Sequence, residues 1–379
     1  MQGGRRAPAA WLIFVLLLRI ERGAESQHDF RPFEEMLPRF VELFRVGDGP
    51  GQYCYDPSRK EVSVYGSSDM VHLLFTVNSL NVSEDDAHAW STVINSFQNT
   101  TGIYTPYAYE GVCGFVPWHT TGFAAAAVSL LGRAPMYRPE WSEALAAAGP
   151  GKWTAALTPL LNGTNCSDCS PGDSIWQFSH KLAAIPATLL MAGDRERFAP
   201  FFDWLYGVFL SENLDPKTGM WCARAEWAPP NHVQCLGGAF HVFFVEQFSS
   251  HPWALPETVH STALSMQHAE SGLWGSPTRG GLPTFIDLDG VYQVIRSAVQ
   301  LGKPAQLWAA ARGSCDAFLD ASALVLNDAT TLFSADGFAA NSHMIVGAVA
   351  GIAECGRWFP DLVRTRRAWR QGLDVAPYI

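Results

Sequence analysis

The chain has few charged residues, and its acidic residues outnumber its basic ones. Of its 379 residues, 16% are charged and 48% are hydrophobic, and the formal net charge is -10. Nucleic-acid binding requires positive charge that neutralises phosphates, so the net negative charge argues against a nucleic-acid partner, and we predict none. The lack of a Gly-rich phosphate loop disfavours diphosphate substrates in the same way. The composition predicts a large apolar core and a small polar or neutral ligand.

Several catalytic motifs are also missing. The sequence has no Gly-x-Ser-x-Gly and no His-Glu-x-x-His segment, so nothing indicates a serine hydrolase of the nucleophile-elbow type or a zincin protease. Cys166 and Cys169 form a Cys-x-x-Cys pair without a second one, which favours a structural disulfide over a zinc or redox site. No motif calls for a cofactor, and we predict none.

Beyond the first residues no segment is apolar enough to cross a membrane. Arginines precede an apolar run at 9–18, and small residues follow it near Ser26, which predicts a signal peptide over 1–26. The run is shorter than the roughly 20 residues that span a bilayer, although an uncleaved anchor remains the alternative. After cleavage we expect one domain over 28–379 and no membrane association.

Cysteines and glycosylation sequons fit the same compartment. The eight cysteines all follow the predicted signal peptide, and an even number in an oxidising compartment predicts disulfide bonds. Four sequons predict N-glycosylation, at Asn81, Asn99, Asn162 and Asn165. We therefore expect a glycoprotein that is secreted or resides in the lumen of the secretory pathway.

The chain contains a repeat of helix pairs. Six times an apolar helical segment is followed by a polar loop and then by a second apolar helix, with a period of about 50 to 60 residues. The predicted pairs are 33–44 with 67–80, 85–97 with 118–132, 153–161 with 173–190, 201–210 with 237–248, 258–266 with 289–301, and 315–326 with 341–355. Such pairs can form an open solenoid or a closed ring. Closure is favoured because no unit has the polar face of a cap, and the predicted fold is an all-α (α/α)6 toroid of six helical hairpins.

Polar residues recur where the second helices begin. These helices are richer in small residues than the first ones, which suits an inner ring, and their N-termini would present free amides at one mouth. The polar and aromatic residues at these starts are Asp69, His72, Trp118, His119, Asp173, Trp176, Gln234, His241, Asp287, Asp289, Asn341 and His343. We expect them to line a common crater.

The loops between the helices carry the family resemblance. Gln98-x3-Gly102-x-Tyr104 and Gln267-x4-Gly272-x-Trp274 resemble the Gln/Trp repeats of terpenoid cyclases and protein prenyltransferase β subunits. Gly219-Met-Trp221 and Gly272-Leu-Trp274 are similar to loops of six-hairpin glycosidases, including unsaturated glucuronyl hydrolases. Both families are α/α toroids, so the resemblance implies that fold.

The two resemblances imply different chemistry. Prenyltransferases hold zinc with an Asp-x-Cys pair and a later His, and Asp287-x-Asp289 with His343 is similar, except that a carboxylate replaces the thiolate. We predict no metal there. Glycans are the commoner polymer in the secretory lumen, so the leading hypothesis is a glycoside hydrolase or polysaccharide lyase that acts on a glycan in the crater.

Glycoside chemistry commonly needs two carboxyl groups, one as acid and one as base or nucleophile. The predicted catalytic residues are Asp287, Asp289, Asp69, Asp173 and His119, and for each a helix cap or a structural hydrogen bond is the alternative. The predicted substrate-binding residues are Trp118, Trp176, Trp274, Tyr104 and His343, although most such aromatics pack between repeats. The alternative functions are a non-catalytic toroid that binds a small molecule or a protein partner, and a diverged terpenoid cyclase or prenyltransferase-like protein.

Overall fold

The computed structural model describes residues 27–105, 117–162, 174–221 and 232–379. The chain is all-α, and its described residues form fourteen α-helices and one two-stranded parallel sheet, β1 (His28–Asp29) with β2 (Val363–Arg364). The predicted signal peptide and the Cys166–Cys169 pair lie outside the described residues.

The helices are α1 Arg31–Leu43, α2 Val64–Thr76, α3 Glu84–Asn95, α4 Pro117–Leu130, α5 Glu140–Ala148, α6 Trp153–Asn162, α7 Ser174–Met191, α8 Arg195–Trp204, α9 His232–Phe248, α10 Pro256–Ser265, α11 Phe285–Gln300, α12 Ala305–Leu326, α13 Ala329–Phe333 and α14 His343–Trp358. Every predicted helix except 201–210 coincides with one of these over most of its length. A π-helical turn at Leu205–Leu210 continues α8, which accounts for the predicted helix at 201–210. The sequence pattern does not predict α5 or α13, and the helix predicted at 315–326 begins later than α12, which starts at Ala305.

Side-chain caps define several helix starts. Ser63 accepts a hydrogen bond from the amide of Gly66 at the start of α2, and Ser83 accepts one from Asp86 at the start of α3. At α11, Thr284 and Asp287 form a capping box, in which the Asp287 carboxylate also accepts a hydrogen bond from the Thr284 amide. These contacts satisfy amides that have no partner within the helix.

The second helix of each predicted pair packs against the second helix of the next pair. Contacts run from α2 to α4, α7, α9, α11 and α14 in chain order, and α14 in turn contacts α2. Small residues permit this approach. A Cβ on Gly347 of α14 would lie 2.5 Å from backbone atoms of Phe285 in α11, and Ala124 to Ala127 of α4 are fully buried. The hydrophobic core extends from these six helices to the helices around them, as buried Phe33 and Phe40 of α1 and Phe198 of α8 show.

The loops of the repeat share one local structure. Gln98 donates to the carbonyl of Gly102 (3.0 Å), and Gln267 donates to the carbonyl of Gly272 (2.8 Å). Each glutamine also bonds to the following unit, Gln98 to Tyr137 and Gln267 to Ser314. All four loop glycines have positive φ, at positions 51, 102, 219 and 272. Since a Cβ on Gly272 would lie 2.4 Å from a backbone oxygen in α12, glycine is required there for packing as well as for φ.

Three further interactions join distant parts of the chain. A disulfide links Cys315 of α12 to Cys355 of α14, which confirms the prediction of disulfide bonding, whereas Cys54 is a buried free thiol. Arg296 of α11 forms a buried ion pair with Glu354 of α14 (2.5 Å). Arg296 also contacts Asp374, so the 372–374 turn is tied to the same pair.

Within the described residues, no single helix is long and apolar enough to cross a membrane. The segment Ala329–Ala340 and the helix His343–Trp358 pass that test only together, with a bend of 113° between them.

Candidate functional site

Three histidines from three consecutive second helices meet in the interior. His119 lies on α4, His180 on α7 and His241 on α9, and one ring nitrogen of each lies within 4.8 Å of those of the other two. The ring centroid of His180 lies 4.5 Å from that of His119 and 4.4 Å from that of His241. All three side chains are buried. We call these residues the histidine cluster.

Hydrogen bonds orient two of the three rings. Nδ1 of His119 lies 2.7 Å from the Tyr65 hydroxyl, and Nδ1 of His241 lies 2.7 Å from the carbonyl oxygen of Gly237. Because a carbonyl can only accept, His241 carries its proton on Nδ1 when neutral, which leaves the lone pair on Nε2. Neither ring nitrogen of His180 has a hydrogen-bond partner among the described residues.

A histidine and a carboxylate form a second polar group beside the histidine cluster. Nδ1 of His343 lies 2.7 Å from Oδ1 of Asp69, and the Ser342 hydroxyl donates to the other carboxylate oxygen. We call Asp69 and His343 the Asp–His dyad. The His343 ring stacks on Phe285 with centroids 4.3 Å apart, and its centroid is 5.8 Å from that of His119. The dyad joins α2 to the start of α14.

Asp289 of α11 is a buried carboxyl with one unpaired oxygen. Its side chain is 1% exposed, and Oδ2 has no hydrogen-bond partner among the described residues. A Cβ on Gly237 would lie 3.1 Å from this oxygen and 3.3 Å from the Trp176 ring, so the glycine allows both side chains to approach α9. Burial, and secondarily the charge of Asp287, raise the pKa of Asp289 well above its usual value. Asp289 can therefore donate a proton.

Asp287 stands two residues earlier and has a different environment. Its carboxylate accepts hydrogen bonds from the amides of Trp274 (2.7 Å), Gly275 (3.2 Å) and Thr284 (2.7 Å). These bonds fix the loop before α11 and cap the helix. Burial raises the pKa of Asp287, and the three amides oppose that shift. The side chain holds local structure through both of its oxygens.

Burial controls the charge of the histidines. It lowers the pKa of His119 and of His180 well below the ordinary value, and the neighbouring histidines lower both further. Burial likewise lowers the pKa of His241 to about 4, with the Gly237 carbonyl opposing the shift. All three rings are therefore neutral at pH 7 and have a lone pair for a proton or a metal ion.

The structure brings together some of the predicted site residues. Asp69, His119, Trp176, Asp289 and His343 lie at or beside the histidine cluster, and the Trp176 centroid is 6.2 Å from that of His180.

Other predicted residues lie elsewhere. Trp118 is half-buried against Trp141 of α5. Tyr104 donates to Asn95 of α3, and Trp274 donates to the Ala263 carbonyl of α10, both as buried packing residues. Asp173 is outside the described residues. Substrate and catalytic roles for all of these residues remain predictions.

Three residues of the site, His180, Tyr65 and Tyr378, were not among the predicted site residues. His180 follows Trp176 by one helical turn inside an apolar helix, and His119, His180 and His241 occur at equal intervals along the chain. That regular spacing was the available signal. Tyr65 and Tyr378 gave no comparable signal, because a single tyrosine in an apolar segment is typical of a core.

Tyr378 packs against the histidine cluster. Its ring centroid is 5.6 Å from His119 and 6.1 Å from His241, and its side chain is fully buried. A Cβ on Gly122 of α4 would lie 2.6 Å from this ring, so the glycine makes room for it. The segment around Tyr378 thus packs into the interior next to the candidate site.

In comparisons with known proteins, no protein family, curated protein or solved structure matches this chain.

Proposed function

We propose that the six helix pairs form an (α/α)6 toroid and that its inner ring consists of α2, α4, α7, α9, α11 and α14. The cyclic order of their contacts supports this arrangement, because α14 packs against α2 as well as against α11. An open solenoid would leave its first and last units without such a contact. The shared hydrogen bonds of Gln98 and Gln267 support a common origin of the hairpins.

Within this toroid, the proposed function is that of a carbohydrate-active enzyme, a glycoside hydrolase or a lyase, that cleaves a glycan by general acid–base chemistry. The observation that carries the proposal is the Asp–His dyad: a histidine held at 2.7 Å by a buried carboxylate has the arrangement of a general base. The predicted signal peptide and sequons place the protein, in this proposal, in the secretory lumen, where glycans are available.

The dyad and Asp289 would divide the proton transfers between them. In hydrolysis, His343 takes a proton from water as the water oxygen bonds to the anomeric carbon. In elimination, it takes a proton from the carbon next to a uronate carboxylate as a carbon–carbon double bond forms. Asp289 gives its proton to the glycosidic oxygen as the carbon–oxygen bond breaks. Asp289 lies one helical turn beyond Phe285, the residue on which His343 stacks, so the first turns of α11 carry Asp289 and contact His343. Asp69 orients His343 through the hydrogen bond to its Nδ1.

The test is a glycan panel that includes neutral and uronate-containing polymers. Wild-type protein should release new reducing ends, and elimination should in addition produce the ultraviolet absorbance of an unsaturated uronate. We expect His343→Gln and Asp289→Asn each to lower kcat by about 10²- to 10⁴-fold, as loss of a general acid or base does. His260→Gln is the control, since this buried histidine of α10 bonds to the Val294 carbonyl outside the site. Absence of turnover, or full turnover in the two variants, would overturn the proposal.

A second candidate is a toroid that binds a small polar molecule without cleaving it. It is favoured by the enclosure of the site, because Asp69, Asp289 and Tyr378 are almost fully buried and the Tyr378 ring packs beside both His119 and His241. Equilibrium binding of panel members by calorimetry, together with the absence of any product, would support this candidate over the enzyme.

A further inference from the structure

The histidine cluster has the composition of a transition-metal site. Its three donors are imidazole nitrogens from three different helices, and all lie within 4.8 Å of one another. Ligands about 2.0–2.1 Å from a tetrahedral zinc ion lie roughly 3.3 Å apart, so the three nitrogens have to approach one another by about 1.5 Å or less to hold one ion.

The ring nitrogens of His180 lack the hydrogen-bond partners that a buried imidazole normally has. It is buried, and neither of its ring nitrogens has a hydrogen-bond partner among the described residues. A buried imidazole needs a partner for its N–H and for its lone pair, because it has lost both hydrogen bonds to water. A metal ion between the rings would take the lone pair of His180.

The other two histidines are oriented as metal ligands are. Metal-bound histidines commonly donate their second ring N–H to a carbonyl or another oxygen, which fixes the ring and the tautomer. His241 does so with the Gly237 carbonyl, and His119 has the Tyr65 hydroxyl at the same nitrogen and at the same distance, 2.7 Å. His241 then has Nε2 left for coordination, and so does His119 in the tautomer in which its Nδ1 donates to the Tyr65 hydroxyl.

The surroundings of the cluster favour a nitrogen-binding metal. Phe123 stacks beside His119, and Phe244 and Tyr378 lie beside His241, so the site is enclosed by aromatic rings. Three neutral nitrogen donors suit Zn²⁺, whereas Mg²⁺ and Ca²⁺ require oxygen ligands. Among the described residues the group contains three ligands, which leaves a fourth position for water or a substrate atom, as catalytic zinc sites do.

We infer that His119, His180 and His241 bind one Zn²⁺ ion. The sequence analysis predicted no metal, and its alternative set of Asp287, Asp289 and His343 is a different one. The inferred ion would supply a Lewis acid or an activated water next to the Asp–His dyad. The inference does not depend on glycan cleavage, because the zinc site can be measured without a substrate.

The test is a zinc titration of the full chain after removal of bound metal with a chelator. With a chromophoric chelator as competitor, wild-type protein should bind one Zn²⁺ per chain, and Zn²⁺ should raise its melting temperature. His180→Ala should weaken binding at least about 100-fold, and Tyr65→Phe, which removes the outer partner of His119, by about tenfold. His260→Ala, which also removes a buried imidazole, should bind as wild type does.

Failure of wild type to bind stoichiometric Zn²⁺, or equal affinity in His180→Ala, would overturn the inference. If His180→Ala does not fold, Co²⁺ replaces Zn²⁺ in wild-type protein. Intense visible d–d bands of a four- or five-coordinate ion support the site, and the weak bands of a six-coordinate ion overturn it. Loss of glycan cleavage with zinc binding intact would count against the proposed function alone.

Discussion

At the residue scale, Glu246 is a buried carboxyl that lies outside the proposed site. It is on α9, 6% exposed, and Oε2 has no hydrogen-bond partner among the described residues. Burial raises the pKa of Glu246 well above its usual value. The folded protein therefore keeps this proton at a pH at which the unfolded chain has already lost it.

The consequence is a fall in stability as pH rises. At a pH below the unfolded pKa of a glutamate, about 4.3, Glu246 is protonated in both the folded and the unfolded state. Its contribution to the free energy of unfolding is then fully present. Above it the folded state binds more protons, so this group lowers the free energy of unfolding by up to about 1.4 kcal/mol per pH unit until the folded pKa is reached. Glu246→Gln should remove this slope and make the protein more stable at pH 7.

Urea unfolding at pH 4.5, 6 and 7.5 measures the effect. Glu270→Gln is the control, since Glu270 is exposed in a loop and its replacement should leave the pH dependence unchanged. Parallel pH profiles for wild type and Glu246→Gln would contradict the assignment of a protonated Glu246.

Asp287 and Asp289 illustrate what sequence could and could not predict at this scale. Both occur at the start of one helix, and sequence patterns gave them the same catalytic role. Their environments differ because Asp287 faces the loop amides of Trp274 and Gly275, whereas Asp289 faces Gly237 on the neighbouring helix. The Asp289 environment depends on helix packing, which a local sequence pattern does not contain.

At the scale of elements, Gly290 is the position where a loop tryptophan packs on an inner helix. A Cβ on Gly290 of α11 would lie 2.2 Å from the Trp274 ring, whose indole nitrogen is held by the Ala263 carbonyl. Gly290→Ala should therefore lower the free energy of unfolding by about 1–3 kcal/mol through overpacking, despite the better helix propensity of alanine.

Gly313→Ala is the matched control for that substitution. Gly313 lies within α12, and a Cβ there would meet no heavy atom within 4 Å. The alanine should stabilise the helix by about 0.5–1 kcal/mol. Thermal unfolding of both variants compares them directly, and a stabilised Gly290→Ala protein would mean that Trp274 does not pack as described.

The helices themselves were largely predictable because apolar periodicity directly records which face is buried. The pairs at 258–266 and 289–301 match α10 and α11 to within a few residues at each end. The short helix α5 was missed because Glu140 to Ala148 has small and charged residues with little apolar contrast. The start of α12 was missed for a related reason, since its first turns are Ala-rich and partly exposed.

At the scale of the whole molecule, the site depends on which helices are neighbours. His119, His180 and His241 are far apart in sequence and meet because α4, α7 and α9 are consecutive in the packing order. The repeat predicted that order, and it also predicted a crater of acids and imidazoles. It could not predict that these side chains would be enclosed, because the position of Tyr378 is set by a segment outside the repeat.

The proposed toroid makes a prediction for backbone hydrogen exchange. In an open array the first and last units have one neighbour each and open at lower free energy than the central ones. In a closed ring α2 and α14 have neighbours on both sides, so their amides should be protected as strongly as those of α9 and α11. Exchange followed by mass spectrometry of peptides from the four helices tests this in the wild-type protein.

A variant at the joint between α2 and α14 makes the exchange experiment sharper. Asp69 accepts hydrogen bonds from Ser342 and His343, so Asp69→Ala removes the polar contacts that link the two helices. We expect exchange in α2 and α14 to accelerate about tenfold or more, because their joint then opens locally, while α9 keeps its protection. If α2 and α14 already exchange much faster than α9 in wild type, and Asp69→Ala changes nothing, the two helices do not form a closing contact and the toroid proposal fails.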